Sequence, residues 1–484
     1  MTLDQFLVPS DWLQTIVDAD RIAAELRLAE PALAESLVGC KVRRMRLDGT
    51  GNACTGSLLL TLRQDDGSLT TIALDASVRP PGTDEGTEAT NGPADGRGAA
   101  FGSPDWRCHL ADLGLTLTDA AAEQELAAYA DLVSATGAAA LLNSALREGT
   151  RADDDVTIES AEPTVMRYKR GSRVTVRYAL TSTGRDAGRF PHLVIAKTHH
   201  GAKGRIAHEA MTALWESPLR TSGTIAIAEP LGFDPARSVL LQGPLPEEAT
   251  LKSLAVAAIG DPDPDFRRRV LDLLGRAGRA AAELHACGVV AVDQVEIEDE
   301  LAEVAGRIER VRAWSPEPAR WLSDLRDRAL TLARATPAEP PVPAHRSLRP
   351  AQFLVAGDHL GLIDFDGFCM AEPAVDLGLF TTVLRSLAVH MGDGSSTDPA
   401  KQVSGDIAAR LATADEMCLA FTDGYRSHTP IVDERVCAWE SAYLMSMLLG
   451  SWTKLKLNRV PACLRLLDHH ASLYGLPDTS TLSM

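Results

Sequence analysis

The chain has 484 residues, 45% of them hydrophobic and 24% charged, the composition of a globular protein that buries its apolar surface without covalent staples. Its length exceeds one ordinary domain and points to two or three. A formal net charge of −18 argues against nucleic acid as a partner, since an acidic surface repels phosphate, and would suit a cationic substrate.

No run approaches the about 18 apolar residues of a membrane span. The opening MTLDQFLVPSDWLQ has no basic region and no long apolar run, so it does not read as a signal peptide, and no membrane partner is expected. The eight cysteines form no CxxC pair and stand at no zinc spacing with histidine. They read as buried, reduced thiols of a cytoplasmic protein.

In chain order, helical periodicity around 18–37 precedes a short β-rich unit. Its strands are 42–47, 57–63 and 69–74, with a glycine-rich turn at Gly49–Gly56 and a hairpin signal at Asp66-Gly67. Residues 1–78 therefore read as an N-terminal helix plus a small β unit. Residues 79–105 are rich in Gly, Pro, Thr, Asp and Glu, hold almost no large apolar side chains and read as a flexible linker. Residues 106–154 read as a helical connector, with Asp119–Leu146 rich in Ala and Leu. A second β unit follows at 155–248: strands 164–168, 174–181 and 191–198, a helix at 206–215, and a short apolar strand at 239–241. From 249 to 476 the chain reads as mostly helical, with Leu271–Ala286 at helical spacing and strand-like pieces at 353–355 and 361–364. A β-rich lobe before a helix-rich lobe predicts an α+β, bilobal fold of kinase type behind an extra N-terminal region.

Four features carry chemistry in the order such a fold requires. A tight turn around Gly171 can lay backbone N–H groups over phosphates. Val194-Ile-Ala-Lys197 resembles the VAIK strand of kinases, whose lysine pairs the α- and β-phosphates. Glu209, twelve residues on in a predicted helix, can hold that lysine. The fourth is HRSLRPAQFLVAGDHLGLIDFDGFCMAEPAVDLGLF at 345–380. It resembles the catalytic and metal-binding segment of the aminoglycoside phosphotransferase-like family, within the protein-kinase-like superfamily. Upstream, Leu284-His285-Ala286 looks like the helix end before that loop, and the resemblance spans about 320 residues.

The resemblance implies roles. His345 would be structural in the catalytic loop, and Asp364 and Gln352 would hold Mg²⁺, which takes oxygen ligands. Arg349 would fork onto γ-phosphoryl oxygens, and Asp376 would bond backbone around the loop. Backbone near Gln242 and Gly243, at the expected interlobe hinge, would receive the adenine of ATP. In one position the chain departs from the family: the catalytic aspartate expected two residues after His345 is Ser347, which cannot act as a carboxylate base. Three readings stay open. The first is an ATP- and Mg²⁺-dependent phosphotransferase acting on a small-molecule hydroxyl, with Asp366 orienting the acceptor or another segment supplying the missing group. The second is a nucleotide-binding pseudokinase that scaffolds or regulates. The third is a peptide Ser/Thr kinase of a biosynthetic pathway. The acidic residues Asp261, Asp263, Asp265, Asp415, Glu416 and Asp423 could attract a cationic acceptor or simply form a solvated face. The remaining histidines, His199 among them, read as surface or core. Residues 42–75 also resemble a kinase hairpin, with Asp75 where the lysine would stand, and so read as a degenerate lobe or an unrelated β domain.

Overall fold

The computed structural model describes residues 18–47, 53–79, 101, 106–119, 129–147, 149, 151–169, 173–261, 263–312, 315–390 and 407–476. The chain divides into two compact units. One gathers Met1–Glu123, Leu301–Arg328 and Leu444–Met484; the other gathers Gln124–Glu300 and Ala329–Tyr443.

In the first unit, helix α1 (Ala19–Ala29) starts behind Asp18, whose carboxylate accepts the Arg21 N–H at 3.0 Å, and buries Ile22, Ala23 and Leu26. Strands β1 (Leu37–Leu47), β2 (Cys54–Arg63), β3 (Leu69–Val78), β4 (Arg107–Leu110) and β5 (Leu115–Asp119) form an antiparallel sheet in the order β1-β2-β3-β5-β4. The Asp66-Gly67 hairpin is present: Gly67 takes φ +82°, and the Asp66 carboxylate accepts the Ser68 N–H at 2.9 Å. Residues 106–119, expected as the start of a helical connector, are strands instead. Cys108 and Leu110 on β4, then Leu115 and Leu117 on β5, are buried at period two, and Gly114 turns the chain between them at φ +58°. Nearly all of the expected linker, the tip of the Gly49–Gly56 turn and Gly171 lie outside the described residues.

The second unit begins with α2 (Ala135–Leu146), capped by Ser134. Strands β6 (Thr157–Lys169), β7 (Arg173–Thr183) and β8 (Leu193–Thr198) form a meander, and α3 (Lys203–Glu216) follows. After β9 (Ala226–Ile227) come β10 (Pro230–Asp234), β11 (Val239–Gln242) and β12 (Ala249–Thr250). The sheet runs β10-β11-β8-β7-β6. Its inner face, with Val174, Val176, Tyr178, Val194 and Ala196, packs on Leu141 and Leu142 of α2. Asn143 locks the helix to the sheet by exchanging two hydrogen bonds with the Ile158 backbone, at 2.8 and 2.9 Å. Both units therefore share one arrangement: a helix, a three-strand meander, and two further strands of which the last lies beside the third.

The helical lobe opens with α4 (Leu251–Gly260), α5 (Pro264–Ala286), α6 (Ile297–Arg312) and α7 (Pro316–Ala335). Strands β13 (Val342–Ala344), β14 (Phe353–Ala356), β15 (His359–Leu362) and β16 (Cys369–Ala371) follow, then α8 (Ala374–His390), α9 (Ile407–Arg426), α10 (Asp433–Thr453) and α11 (Val460–Leu473). Within 249–476, expected as one helical lobe, residues 301–328 and 444–476 group with the N-terminal sheet instead. Contacts between stretches so far apart in sequence leave no local mark. The second unit is α+β, a small sheet lobe joined to a helical lobe, as the sequence predicts.

Candidate active site

Strand β8 carries Lys197. Val194, Ala196 and Thr198 face the core, so Lys197 and the residue two further on, His199, share the opposite face. In the neighbouring strand Thr175 pairs with Lys197, which brings Arg173 across from His199 on that same face. Three nitrogen-bearing side chains thus converge at one end of the sheet.

The opposing groups come from the helical lobe. β13 pairs with β16, and β14 with β15, and these two small ladders hold the loops 345–352 and 363–368 side by side. Asp364, at φ +78°, accepts a hydrogen bond from Lys197 Nζ and lies 3.9 Å from Arg173 Nη1. Asp366 is bound by Lys197 Nζ at 2.9 Å, Arg173 Nη2 at 2.5 Å and His199 Nε2 at 3.0 Å. Burial opposes ionisation of Asp366, but the His199 hydrogen bond and the Lys197 charge outweigh it and hold the carboxyl well below the usual carboxylate range. In this structure the Asp366 oxygens face these three donors rather than an open acceptor position, in contrast to the acceptor-orienting role expected from sequence.

The catalytic loop is bonded from below. The His345 N–H donates to Asp376 Oδ2 at 2.7 Å, and His285 Nε2 lies 3.1 Å from the same oxygen. His285 Nδ1 meets the Tyr425 hydroxyl at 2.9 Å. Asp376 therefore bonds the loop backbone, as expected. His345 Nε2 faces the Ile363 carbonyl at 3.1 Å; a carbonyl only accepts, so Nε2 carries the hydrogen and Nδ1 is left as an acceptor. The Ser347 hydroxyl donates to that Nδ1 at 3.0 Å and lies 3.4 Å from the Asp364 carbonyl. Burial, outweighing the attraction of Asp376, pushes His345 below its ordinary value of 6.5. The pair is a neutral imidazole and a serine donating into it.

Gln352 is buried. Its N–H donates to the Arg349 carbonyl at 2.9 Å and its own carbonyl accepts from Ile363 at 3.2 Å. Its side-chain oxygen is buried without a hydrogen-bond partner. An orphaned amide oxygen beside the Asp364 loop is what a hard cation with oxygen ligands would satisfy, so the residues fit Mg²⁺. Among the described residues no cluster of three His, Cys, Asp or Glu is arranged to hold a metal.

Two expected roles are corrected. Glu209 is exposed and makes no ion pair with Lys197, whose ammonium already has two carboxylates; it lines a groove with Ile206, Ala210, Val292, Asp293 and Phe368. Gln242 ends β11 at the hinge, but the Gly243 N–H is donated to the Glu229 carbonyl at 2.8 Å and is not available to adenine. Five of the six acidic residues weighed for a cationic acceptor, all but Glu416, serve locally. Asp261 and Asp263 accept the backbone N–H groups at the start of α5, Asp265 pairs with Arg268, Asp415 with Arg385 and Asp423 with Arg426. His199 and Arg173 were missed, although period two on β8 and the register to β7 were signal enough.

Residues 184–402 match the model of a family described as the phosphotransferase enzyme family. No curated protein matches the chain. Among solved structures, a glucosamine kinase in complex with glucosamine, ADP and inorganic phosphate is 16% identical, covering 94% of this chain and 98% of its own, at a TM-score of 0.43. A choline/ethanolamine kinase family protein from Mesorhizobium loti is 16% identical over 63% of this chain and 88% of its own, at a TM-score of 0.40. A spectinomycin phosphotransferase in complex with ADP and spectinomycin is 10% identical over 69% and 99%, at 0.39. These structural likenesses carry no argument about activity. The stretch that matches this family model includes Lys197, the loop 345–352 with Ser347, and both Asp364 and Asp366.

Proposed function

We propose that the chain is an ATP- and Mg²⁺-dependent phosphotransferase acting on the hydroxyl of a small molecule. The observation that carries this reading is the meeting of Lys197 with Asp364 and Asp366 between the sheet and the catalytic loop. Lys197, joined by Arg173, would bind the nucleotide phosphates, and both would leave the aspartates as they do so. Asp364 and the Gln352 side-chain oxygen would hold Mg²⁺, which when bound neutralises charge on the β- and γ-phosphates. Arg349 would fork onto the γ-phosphoryl oxygens. Ser347 cannot take the acceptor's proton as a carboxylate would. Because its hydrogen is given to His345, its lone pairs are free to accept the acceptor's O–H and aim the oxygen. Phosphoryl transfer has a loose transition state, so positioning and charge stabilisation supply most of the catalysis.

The neutral Ser347–His345 pair also favours a second reading, nucleotide binding without transfer. Calorimetric titration of ATP with and without Mg²⁺, on the wild type and on Asp364→Ala, tests what the two readings share. Magnesium-dependent binding that Asp364→Ala weakens by about tenfold or more supports both; no binding under any condition sinks both. Turnover in an acceptor screen then separates them.

A further inference from the structure

Asp366 has three donors, and they differ in kind. Lys197 and Arg173 are long-stemmed, with side chains 14% and 31% exposed, whereas the His199 side chain is 0% exposed. The imidazole is fixed where it stands. The His199 N–H donates to the Ser238 carbonyl at 3.0 Å. Gly204, near the start of α3, leaves room beside it: a Cβ there would lie 3.2 Å from the His199 Cβ and 2.7 Å from Ser238 Oγ. A carboxylate only accepts, so His199 Nε2 carries the hydrogen of the 3.0 Å bond to Asp366 Oδ1. Among the described residues Nδ1 is buried with no hydrogen-bond partner. Burying an unpaired polar atom costs stability, and an aliphatic side chain of similar size would fill the space without that cost. The imidazole is therefore kept for its other nitrogen, the one on Asp366.

In the phosphotransferase reading, on which this inference rests, Lys197 and Arg173 leave the aspartates for the nucleotide phosphates. His199 is short and enclosed, and it stays. We propose that His199 is a positioning residue: it holds Asp366, and with it the 363–368 loop, against the sheet while nucleotide is bound, so that Asp364 stays placed for Mg²⁺. The loop needs such a hold. Asp364 sits at φ +78°, a conformation that costs a residue bearing a Cβ and persists only where its neighbours fix it. The residue after it, Phe365, is buried against His345, their ring centroids 4.9 Å apart. The next, Asp366, fixes the loop to the sheet, and once the two cations have gone His199 is the donor of the three that remains on it.

The test titrates ATP by calorimetry into the wild type, His199→Leu and His199→Gln, first without Mg²⁺ and then across a Mg²⁺ series. His199→Leu removes the donor and fills the space; His199→Gln restores a side-chain N–H at about the reach of Nε2. The expected result is that His199→Leu weakens ATP binding about tenfold more with Mg²⁺ than without it, and that His199→Gln recovers most of the difference. A histidine that merely packs would move both affinities together. Equal effects with and without Mg²⁺, no effect, or a loss that His199→Gln does not recover overturns the proposal. Asp366→Ala cuts the same bond from its other end and decides the matter if His199→Leu does not fold: it must show the same Mg²⁺-selective loss, and a variant without that loss overturns the proposal. A wild type that binds no ATP sinks the phosphotransferase reading and this inference with it, whereas a wild type that binds and variants that match it sink this inference alone.

Discussion

Glu372, two residues before α8, is buried and gathers several partners. Its carboxylate reaches the buried Arg435, accepting from Nε at 2.6 Å and also from Nη2, and takes the Trp439 Nε1–H at 2.6 Å. Arg435 also donates to the Ala333 carbonyl at 2.5 Å. Removing one partner of a buried pair leaves the other charged and unsatisfied. Arg435→Ala is therefore expected to cost about 3–5 kcal/mol, read by urea unfolding, while Arg268→Ala, which breaks an exposed pair, should cost well under about 1 kcal/mol. His345 sets a pH dependence of definite sign. Its pKa in the fold lies below the unfolded value of 6.5, so below that pH the unfolded chain takes up a proton that the folded chain refuses. Stability should fall as pH drops below 6.5, and this group contributes no loss above it. Thermal unfolding followed across that range should show the decline, and His345→Gln should flatten part of it.

At the scale of elements, two helices approach so closely that glycine is required at the contact. A Cβ on Gly278 of α5 would lie 1.9 Å from the Phe421 carbonyl oxygen of α9, and one on Gly424 of α9 would lie 2.0 Å from that of Gly275. Gly278→Ala must push the helices apart and is expected to destabilise by about 1–3 kcal/mol, even though alanine is the better helix former. The same variant should raise the nucleotide dissociation constant less than Asp364→Ala does, because α5 is linked to the loop at His345 through His285 and Asp376, and Gly278 lies on the side facing α9. The helix periodicity of α5 was legible, since apolar residues recur on one face. The glycines were not, because their reason lies on a helix more than 130 residues away. Strands β4 and β5 were passed over as helix because RCHLADLGLTLTD alternates over too short a run on either side of a glycine.

For the molecule as a whole, ligand binding is expected to register as stability. A nucleotide that binds the folded second unit and not the unfolded chain stabilises it by about 2.7 kcal/mol at a hundredfold excess over the dissociation constant. Mg²⁺ and ATP should raise the melting temperature of the wild type by clearly more than that of Asp364→Ala, a measurement that calorimetric scanning provides. Cys369, Cys418 and Cys437 should stay unreactive in the native state, since burial pushes their thiols up to about 12, whereas Cys40 and Cys287 are only half-buried.

The order of elements, Lys197 on its strand, Asp364 and the serine at 347 were all written in local patterns: strand alternation, helical spacing and a contiguous motif at 345–380. Such patterns hold because side-chain period and turn chemistry act over a few residues. Which carboxylates answer Lys197, where Glu209 ends up, and which distant segments join the N-terminal sheet depended on packing between stretches hundreds of residues apart. Asp364 meets Lys197 across 167 residues of chain, and Asp366 meets Arg173 across 193. Charge pairing at that separation is set by how the sheet and the loop are placed, and no short window of sequence encodes it.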